Sequence, residues 1–334
     1  MIISRTPLRM SFVGGGSDMP DFYRRYGGAV VSTSIDKYVY VNINRKFDGG
    51  IRLAYSKTEE VETVEQIEHR LVRAAFDMLG ITGGVEITTI ADIPSRGTGL
   101  GSSSSFTVGL LNALSAYLGR HISADSLGYC SSDIEINRCG EPIGKQDQYA
   151  AAYGGLNLIE FKADDSVLVS PVIMPLEVRS ALERRIIVFY TGVTRSASDI
   201  LKQQTIAISS DGAKRAALIR MVELAYALRE ELQNGNLDSF GEILNDNWNL
   251  KKSLTKGIST SAIDDWYDAA RKAGALGGKL LGAGAGGFLM FYAPEDRHAA
   301  IAEALGALRP IDLRFDTLGS RIIFYNPTTA HSNS

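Results

Sequence analysis

The stretch GTGLGSSSS at residues 97–105 has the composition of a phosphate-binding loop. Glycine lets backbone N–H groups converge on an anion, and a helix start adds unpaired N–H groups and partial positive charge. Serine here predicts a helix cap that also offers a hydroxyl to phosphate or Mg²⁺. The loop lacks both a Walker A ending and the G-x-G-x-x-G spacing of a nicotinamide-dependent oxidoreductase. A flexible loop with a serine cap is the alternative.

Two other glycine-rich segments agree with this interpretation. TPLRMSFVGGGSD at 6–18 reads as a strand that runs into three glycines, and KLLGAGAGGF at 279–288 places glycines before an apolar strand. The ordered set Pro-x-Arg…Gly-Gly-Gly-Ser-Asp, Gly-Leu-Gly-Ser-Ser and Lys-x-x-Gly-Ala-Gly-x-Gly-Gly resembles the three motifs of the GHMP kinases. That superfamily is named for galactokinase, homoserine kinase, mevalonate kinase and phosphomevalonate kinase. The resemblance spans residues 5 to about 292.

The fold expectation comes from both the pattern and the resemblance. Strands and helices are mixed without a regular βαβ repeat, which predicts an α+β fold. The resemblance implies the two-domain GHMP kinase fold. Its N-terminal ATP-binding domain, like domain 2 of ribosomal protein S5, would cover 1–180, and a ferredoxin-like C-terminal domain would cover 181–334. It also implies an ATP- and Mg²⁺-dependent kinase.

Longer phrases narrow the resemblance to a branch of sugar kinases. FVGGGSDMPDFY, SIDKYVYV, GKQDQYAAAYGG and FYTGVTRSASDILKQQ resemble the branch that acts on D-glycero-D-manno-heptose 7-phosphate. This implies phosphorylation of the anomeric hydroxyl to give the 1,7-bisphosphate, a step toward nucleotide-activated heptose. A kinase for fucose, glucuronate or mevalonate stays open, as does a sensor that binds ATP and sugar without turnover. The Gly-Gly-Gly-Ser-Asp form of the first motif argues against mevalonate.

The resemblance assigns the nucleotide and metal sites residue by residue. Mg²⁺ is expected on Ser103 and on Glu135 of the following helix, with Glu141 as the competing carboxylate. The residues expected to wrap the triphosphate of ATP are Gly97, Gly99, Leu100, Gly101, Ser102, Ser103 and Ser104.

Asp147 in GKQDQ matches the aspartate that acts in relatives as the base or orienter of the attacking hydroxyl. Lys145 precedes it by two positions, and a nearby cation would keep the carboxylate ionised. Arg9 matches the cation of the first motif, which would offset negative charge developing on the transferred phosphate.

The acceptor is expected to contact the first and third motifs. Ser17 and Asp18 match positions that bind sugar hydroxyls in relatives, although an Asx turn is a substantial alternative for Asp18. Gly284 and Gly286 are expected to shape the site. A phosphorylated sugar needs a second anion site, and the candidate cations are Lys37, Lys145, Arg138 and above all Arg195, which follows a strand and begins a helix.

Composition excludes several functional classes. A net charge of −3 over 334 residues offers no broad basic surface for nucleic acid or anionic membranes. No apolar run approaches the ~20 residues that span a bilayer, and the N-terminus does not resemble a signal peptide. Cys130 and Cys139 are expected to be small buried residues rather than metal ligands. We expect a cytoplasmic protein whose partner is a small sugar phosphate, with a homodimer among the open oligomeric states.

Hydrophobic periodicity predicts the elements that must position these residues. A boundary between domains is expected near 175–185, where the charged segment LEVRSALERR precedes a strand. A short helix within loops is expected at 140–155. Strands are predicted at 38–45, 84–93, 185–191 and 288–292, and helices at 65–79, from the serine run to Gly119, and at 123–139, 213–234, 237–250 and 260–273.

Overall fold

The computed structural model describes residues 1–93, 98–193 and 197–327. The strands in chain order are Ile2–Val13 (β1), Gly28–Arg45 (β2), Ile51–Ala54 (β3), Thr58–Val61 (β4), Val85–Ala91 (β5), Leu156–Phe161 (β6), Val167–Pro171 (β7), Ile186–Tyr190 (β8), Gly277–Leu280 (β9), Phe288–Tyr292 (β10), Arg309–Ile311 (β11), Phe315–Asp316 (β12) and Arg321–Tyr325 (β13). The α-helices are Pro20–Tyr26 (α1), Arg70–Leu79 (α2), Ser102–Tyr117 (α3), Ala124–Ser132 (α4), Gln146–Tyr153 (α5), Leu176–Arg184 (α6), Ala197–Ser210 (α7), Gly212–Gln233 (α8), Asp238–Leu254 (α9), Ser261–Lys272 (α10) and His298–Ala304 (α11).

The larger sheet is built around the long strand β2. The main strand order is β13-β1-β2-β5-β3-β4, β6 and β12 also pair with β2, and β7 pairs with β6. Because β2 has 18 residues, one of its edges pairs with β6 through 28–33 and with β5 through 39–45. β1 pairs with the other edge, and its residues 6–13 are all buried. A strand covered on both faces is a rigid support for the side chains that it carries.

Helix α3 lies on this sheet, in contact with β1 and β2. It is buried along almost its whole length, as expected for a helix enclosed by other elements. The loop before it is tied to β1, because the N–H of Arg9 donates to the carbonyl of Leu100 at 3.1 Å. The helix start is therefore fixed beside the middle of β1.

The smaller sheet is antiparallel, with the order β11-β8-β10-β9. Helix α9 packs on β9, and helix α8 packs on both α9 and β2. The last strands, β12 and β13, return to the larger sheet and pair with β2 and β1. The division of the chain after residue 180 stays a prediction, and these two strands join the C-terminal end of the chain to the first sheet.

The structure has the mixed α and β elements that the α+β expectation requires. The charged segment expected as a boundary forms helix α6, and the helix expected at 123–139 ends as an α-helix at Ser132 and continues as a π-helix over Asp133–Arg138. Cys139 is buried, whereas Cys130 is partly exposed. Among the described residues, no helix is both long and apolar enough to cross a membrane.

Candidate active site

A cavity of about 530 Å³ lies between the two sheets. Its wall takes residues from β1, from the start of α3, from α5, from α9 and from β9 with the glycine loop that follows. All three glycine-rich motifs therefore reach one cavity, although they are separated by up to about 280 residues of sequence.

Arg9 and Asp147 form a bidentate ion pair in this cavity. The Nε of Arg9 donates to Asp147 Oδ1 at 2.8 Å and its Nη2 donates to Oδ2 at 2.6 Å. The remaining Nη1 donates to the carbonyl of Gly99 at 2.6 Å. One guanidinium thus fixes Asp147 of α5 and the glycine–serine loop relative to β1, because the planar fork of arginine matches a carboxylate.

The glycine–serine loop leads into α3 through a glycine rather than a serine. Gly101 is the N-cap residue, with a left-handed backbone (φ +76°), and no side chain of the described residues caps the helix. The expected serine cap is therefore wrong. The first N–H groups of α3 face a cavity wall that includes Ser102 and Ser103, where they can bind an anion.

The other loop residues have different positions. Leu100 is fully buried and does not line the cavity. Its carbonyl accepts a hydrogen bond from the N–H of Arg9 on β1. Ser104 is also buried and directs its hydroxyl to Glu135. Thr98 does line the cavity, although its position in the motif drew no attention to it. Gly97 lies outside the described residues.

Glu135 is a buried carboxylate on the π-helix, 1% exposed. Burial raises the pKa of this carboxyl, and its hydrogen bonds oppose that effect. No lysine or arginine of the described residues pairs with it. Its donors are the hydroxyls of Ser103 at 3.1 Å, Ser104 at 2.7 Å and Thr107 at 3.0 Å and the amide of Gln148.

These residues fit the requirements of Mg²⁺. Magnesium prefers oxygen ligands and is usually held by one or two carboxylates together with phosphate oxygens. Glu135 and Ser103 supply a carboxylate and a hydroxyl in direct contact beside the helix start. No cluster of three or more acidic, histidine or cysteine side chains occurs within 1–93, 98–193 and 197–327 that would form a metal site without a nucleotide. Glu141, the competing carboxylate, instead pairs with Arg70 at 3.4 Å.

Asp18 and Ser17 differ in access. Asp18 lines the cavity, and its carboxylate accepts from the N–H groups of Gly16 at 2.9 Å and Gln146 at 3.2 Å. Burial, and then the charge of Asp147, raise the pKa of Asp18. Ser17 is fully buried, and its hydroxyl both donates to and accepts from the backbone of Ala29 at 3.1 Å. The prediction that Ser17 contacts the acceptor is therefore wrong.

The third motif approaches the second through glycine. A Cβ on Gly99 would lie 2.2 Å from the carbonyl oxygen of Leu281, and a Cβ on Gly282 would lie 2.4 Å from Gly99 Cα. Gly284 and Gly286 are packed against the backbones of Ile258 and Val193 rather than against the cavity. They shape the loop from behind, whereas Gly282 lines the site.

Lys145 has a different partner from the one expected. Its Nζ lies 3.4 Å from Asp165 Oδ1 and 5.1 Å from the ring centre of Tyr23, and it makes no ion pair with Asp147. Lys145 is also absent from the cavity wall. The cation beside Asp147 is Arg9. Lys145 is close in sequence but precedes α5, and its side chain turns to Asp165 instead.

Two of the other cations expected for a substrate phosphate, Lys37 and Arg138, do not reach the cavity. Lys37 pairs with Asp36 at 3.1 Å, and Arg138 pairs with Asp133 at 2.8 Å. Arg195, the leading candidate, lies outside the described residues, so that assignment stays a prediction.

Sequence reasoning assigned no role to two buried lysines that line the cavity, Lys251 on α9 and Lys279 on β9, although Lys279 begins the third motif. They are 6% and 5% exposed, and neither forms an ion pair with a carboxylate of the described residues. Burial lowers the pKa of Lys251 to about 8 and that of Lys279 to about 7, where the nearby charges of Lys251 and Arg9 add to the effect. Neither lysine therefore has a carboxylate counterion among the described residues, and a bound anion would favour the charged form of each.

Comparisons with known proteins give the family of the chain. The model for the GHMP kinases N terminal domain matches residues 62–155, and the model for the GHMP kinases C terminal matches residues 228–309. The chain is 29% identical over 319 residues to the D-glycero-alpha-D-manno-heptose 7-phosphate kinase of Campylobacter jejuni, covering 91% of this chain and 93% of that protein.

Solved structures and longer relatives give the same family. The crystal structure of a D-glycero-D-manno-heptose 1-phosphate kinase from Bacteroides thetaiotaomicron superimposes with a TM-score of 0.80 at 27% identity, over 98% of this chain and 100% of that one. The L-fucokinase/L-fucose-1-P guanylyltransferase of Bacteroides fragilis is 26% identical over 90% of this chain, which spans 35% of that longer protein.

The fold and the related proteins define an ATP-dependent kinase of small molecules, and its ion-paired aspartate shares one cavity with the start of α3. The chain belongs to the GHMP kinases.

Proposed function

We propose that this kinase transfers the γ-phosphate of Mg·ATP to the anomeric hydroxyl of D-glycero-D-manno-heptose 7-phosphate, giving the 1,7-bisphosphate. The observation that carries the proposal is the Arg9–Asp147 pair, which stands in one cavity with the start of α3. The similarity to a heptose 7-phosphate kinase supports the sugar. A structural relative is named for the heptose 1-phosphate, so the position that is phosphorylated is the first thing to test.

The acceptor hydroxyl would be oriented by Asp147. A carboxylate held by two N–H bonds of Arg9 keeps other lone pairs free to accept the hydroxyl proton as the oxygen attacks. Asp18 would accept a second hydroxyl of the sugar, because its carboxylate faces the same cavity from the first motif.

The phosphates of ATP would lie against the first N–H groups of α3, with Gly99, Gly101 and Ser103 around them. Ser103 and Glu135 would hold Mg²⁺, which would supply positive charge to neutralise the phosphates. Arg9, which donates to the carbonyl of Gly99, and Lys279 line the same cavity, where positive charge would stabilise the charge that spreads over the transferred phosphoryl group.

Kinase activity on another sugar is the second candidate. The fucokinase relatives of Arabidopsis thaliana and Bacteroides fragilis, 28% and 26% identical, favour fucose among the alternatives. A sensor without turnover is disfavoured because Asp147, Glu135 and Ser103 are all present, with Asp147 paired to Arg9 and Ser103 in contact with Glu135.

An ADP-release assay over a panel of acceptors tests the proposal. The panel contains heptose 7-phosphate, heptose 1-phosphate, unphosphorylated heptose, fucose, glucuronate and mevalonate, each with Mg·ATP. We expect the highest kcat/KM with heptose 7-phosphate. A higher kcat/KM with any other acceptor would replace the proposed substrate, and ATP binding without turnover across the panel would favour the sensor.

A further inference from the structure

Lys251 is a buried cation placed by the apolar stripe of its helix. Leu244, Trp248, Lys251 and Leu254 share one face of α9, and all four are buried. The ammonium donates to the carbonyl of Gly15 at 3.0 Å and to Gln204 Oε1 at 2.9 Å. An ammonium has three N–H donors, so one is left for a ligand in the cavity.

Gln204 adds a second donor at the same point. The residue is 1% exposed, and its Nε2 is buried without a hydrogen-bond partner among the described residues. A buried amide N–H group without an acceptor is costly and calls for an explanation. A Cβ on Gly16 would lie 2.3 Å from Gln204 Nε2 and 3.2 Å from Lys251 Nζ, so both groups converge on the Gly16 turn of the first motif.

This turn lies on the acceptor side of the cavity. Gly16 also donates to Asp18, the carboxylate expected to bind sugar hydroxyls, and Gly15 accepts from Lys251. The N–H groups that can receive the nucleotide are those at the start of α3, where Ser103 contacts Glu135. Donors on the acceptor side are therefore placed for an anionic group of the acceptor rather than for ATP.

We propose that Lys251 and Gln204 form the subsite for the phosphate group that the sugar already carries. The inference rests on the proposed function, because it assumes an acceptor that is a phosphate monoester. Such a group supplies several acceptor oxygens and the negative charge that Lys251 lacks, and burial of an unpaired charge is otherwise unfavourable. The subsite also gives a reason why an unphosphorylated sugar would bind poorly, since it would leave two buried donors unpaired.

Calorimetric titration tests this subsite. Wild type, Lys251→Met and Gln204→Glu are titrated with D-glycero-D-manno-heptose 7-phosphate and, separately, with a non-hydrolysable ATP analogue in the presence of Mg²⁺. We expect both variants to raise Kd for the sugar phosphate by about tenfold or more, the range for losing hydrogen bonds to a charged group. Kd for the nucleotide should stay within about twofold of wild type, which also shows that each variant is folded.

Lys252→Met is the matched control. Lys252 is the next residue on α9, but its Nζ points to Asp264 at 3.1 Å, so neither Kd should change. If wild type turns over heptose 7-phosphate and both variants bind it as tightly as wild type, the subsite is wrong and the proposed function stands. Equal losses for sugar phosphate and nucleotide would also overturn it. If wild type neither binds nor phosphorylates heptose 7-phosphate, the proposed function and the subsite fail together.

Discussion

The charged side chains of the site are held in place by different kinds of partner. Arg9 and Asp147 neutralise each other, whereas Glu135 is surrounded by hydroxyl and amide donors. Lys251 and Lys279 are held by carbonyl and amide oxygens, which orient an ammonium without cancelling its charge. The carboxylate near the helix start can therefore attract a cation, and the two lysines can attract anions.

Removing the charge of Glu135 should weaken the response to Mg²⁺. We expect Glu135→Gln to raise the half-saturating Mg²⁺ concentration about tenfold or more at fixed ATP, because a carboxylate ligand is replaced by a neutral amide. The measurement is the initial rate against total Mg²⁺.

Glu141→Gln serves as the comparison for that experiment. Glu141 pairs with Arg70 and, among the described residues, makes no hydrogen bond to the serines at the start of α3, so its variant should keep the wild-type dependence on Mg²⁺. An unchanged Mg²⁺ dependence in Glu135→Gln would show that Glu135 is not a metal ligand. A shift in Glu141→Gln alone would assign the metal to Glu141.

Among single residues, those in motifs were the predictable ones. Arg9, Asp18, Ser103 and Asp147 all line the cavity as their motif positions led us to expect. Ser17 lies in the same motif, but the backbone of Ala29 takes up its hydroxyl, and no local pattern shows such a long-range partner.

At the scale of elements, two loops approach each other so closely that only glycine fits at the point of contact. The loop before α3 and the loop after β9 are in contact through Gly99 and Gly282. The contact joins the larger sheet to the smaller one beside the expected nucleotide phosphates.

Gly99→Ala should disturb nucleotide binding through this contact. Its Cβ would lie 2.2 Å from the carbonyl oxygen of Leu281, so the loop must move away from the third motif. We expect Kd for ATP to rise about tenfold or more, measured by calorimetry or fluorescence titration.

Gly119→Ala separates this clash from backbone strain. Gly119 also has a positive φ, +71° against +76° for Gly99, but a Cβ there would meet nothing within 4 Å. Both variants should lose about 1 kcal/mol of stability from the left-handed conformation, and Gly119→Ala should bind ATP normally. Normal binding by both would show that the Gly99 contact does not shape the nucleotide site.

Several elements carried a readable signal that the sequence analysis did not use. The stripe of Leu244, Trp248 and Leu254 places Lys251 on the buried face of α9, and a lysine at such a position is a candidate for function. Likewise, β9 is buried throughout, and Lys279 interrupts it. The π-helix that carries Glu135 gave no such signal. Its change to the longer backbone hydrogen bonds of a π-helix depends on packing rather than on hydrophobic periodicity.

At the scale of the whole molecule, the site requires both sheets. Asp147 and Arg9 come with the larger sheet, whereas Lys251 and Lys279 come with the smaller sheet and the helices on it. The mixed fold could be predicted from the sequence, because strand and helix periods alternate irregularly. The return of β12 and β13 to the larger sheet could not, because short strands do not indicate their partners.

The most direct test is the identity of the product together with its dependence on Asp147. The measurement is ³¹P and ¹H NMR of the product from Mg·ATP and heptose 7-phosphate, with wild type and Asp147→Asn at equal concentration. We predict a new phosphate coupled to the anomeric proton, and a kcat lower by about 10²-fold or more in Asp147→Asn, since the amide cannot accept the hydroxyl proton. A new phosphate at any other carbon, or wild-type turnover by Asp147→Asn, would contradict the account.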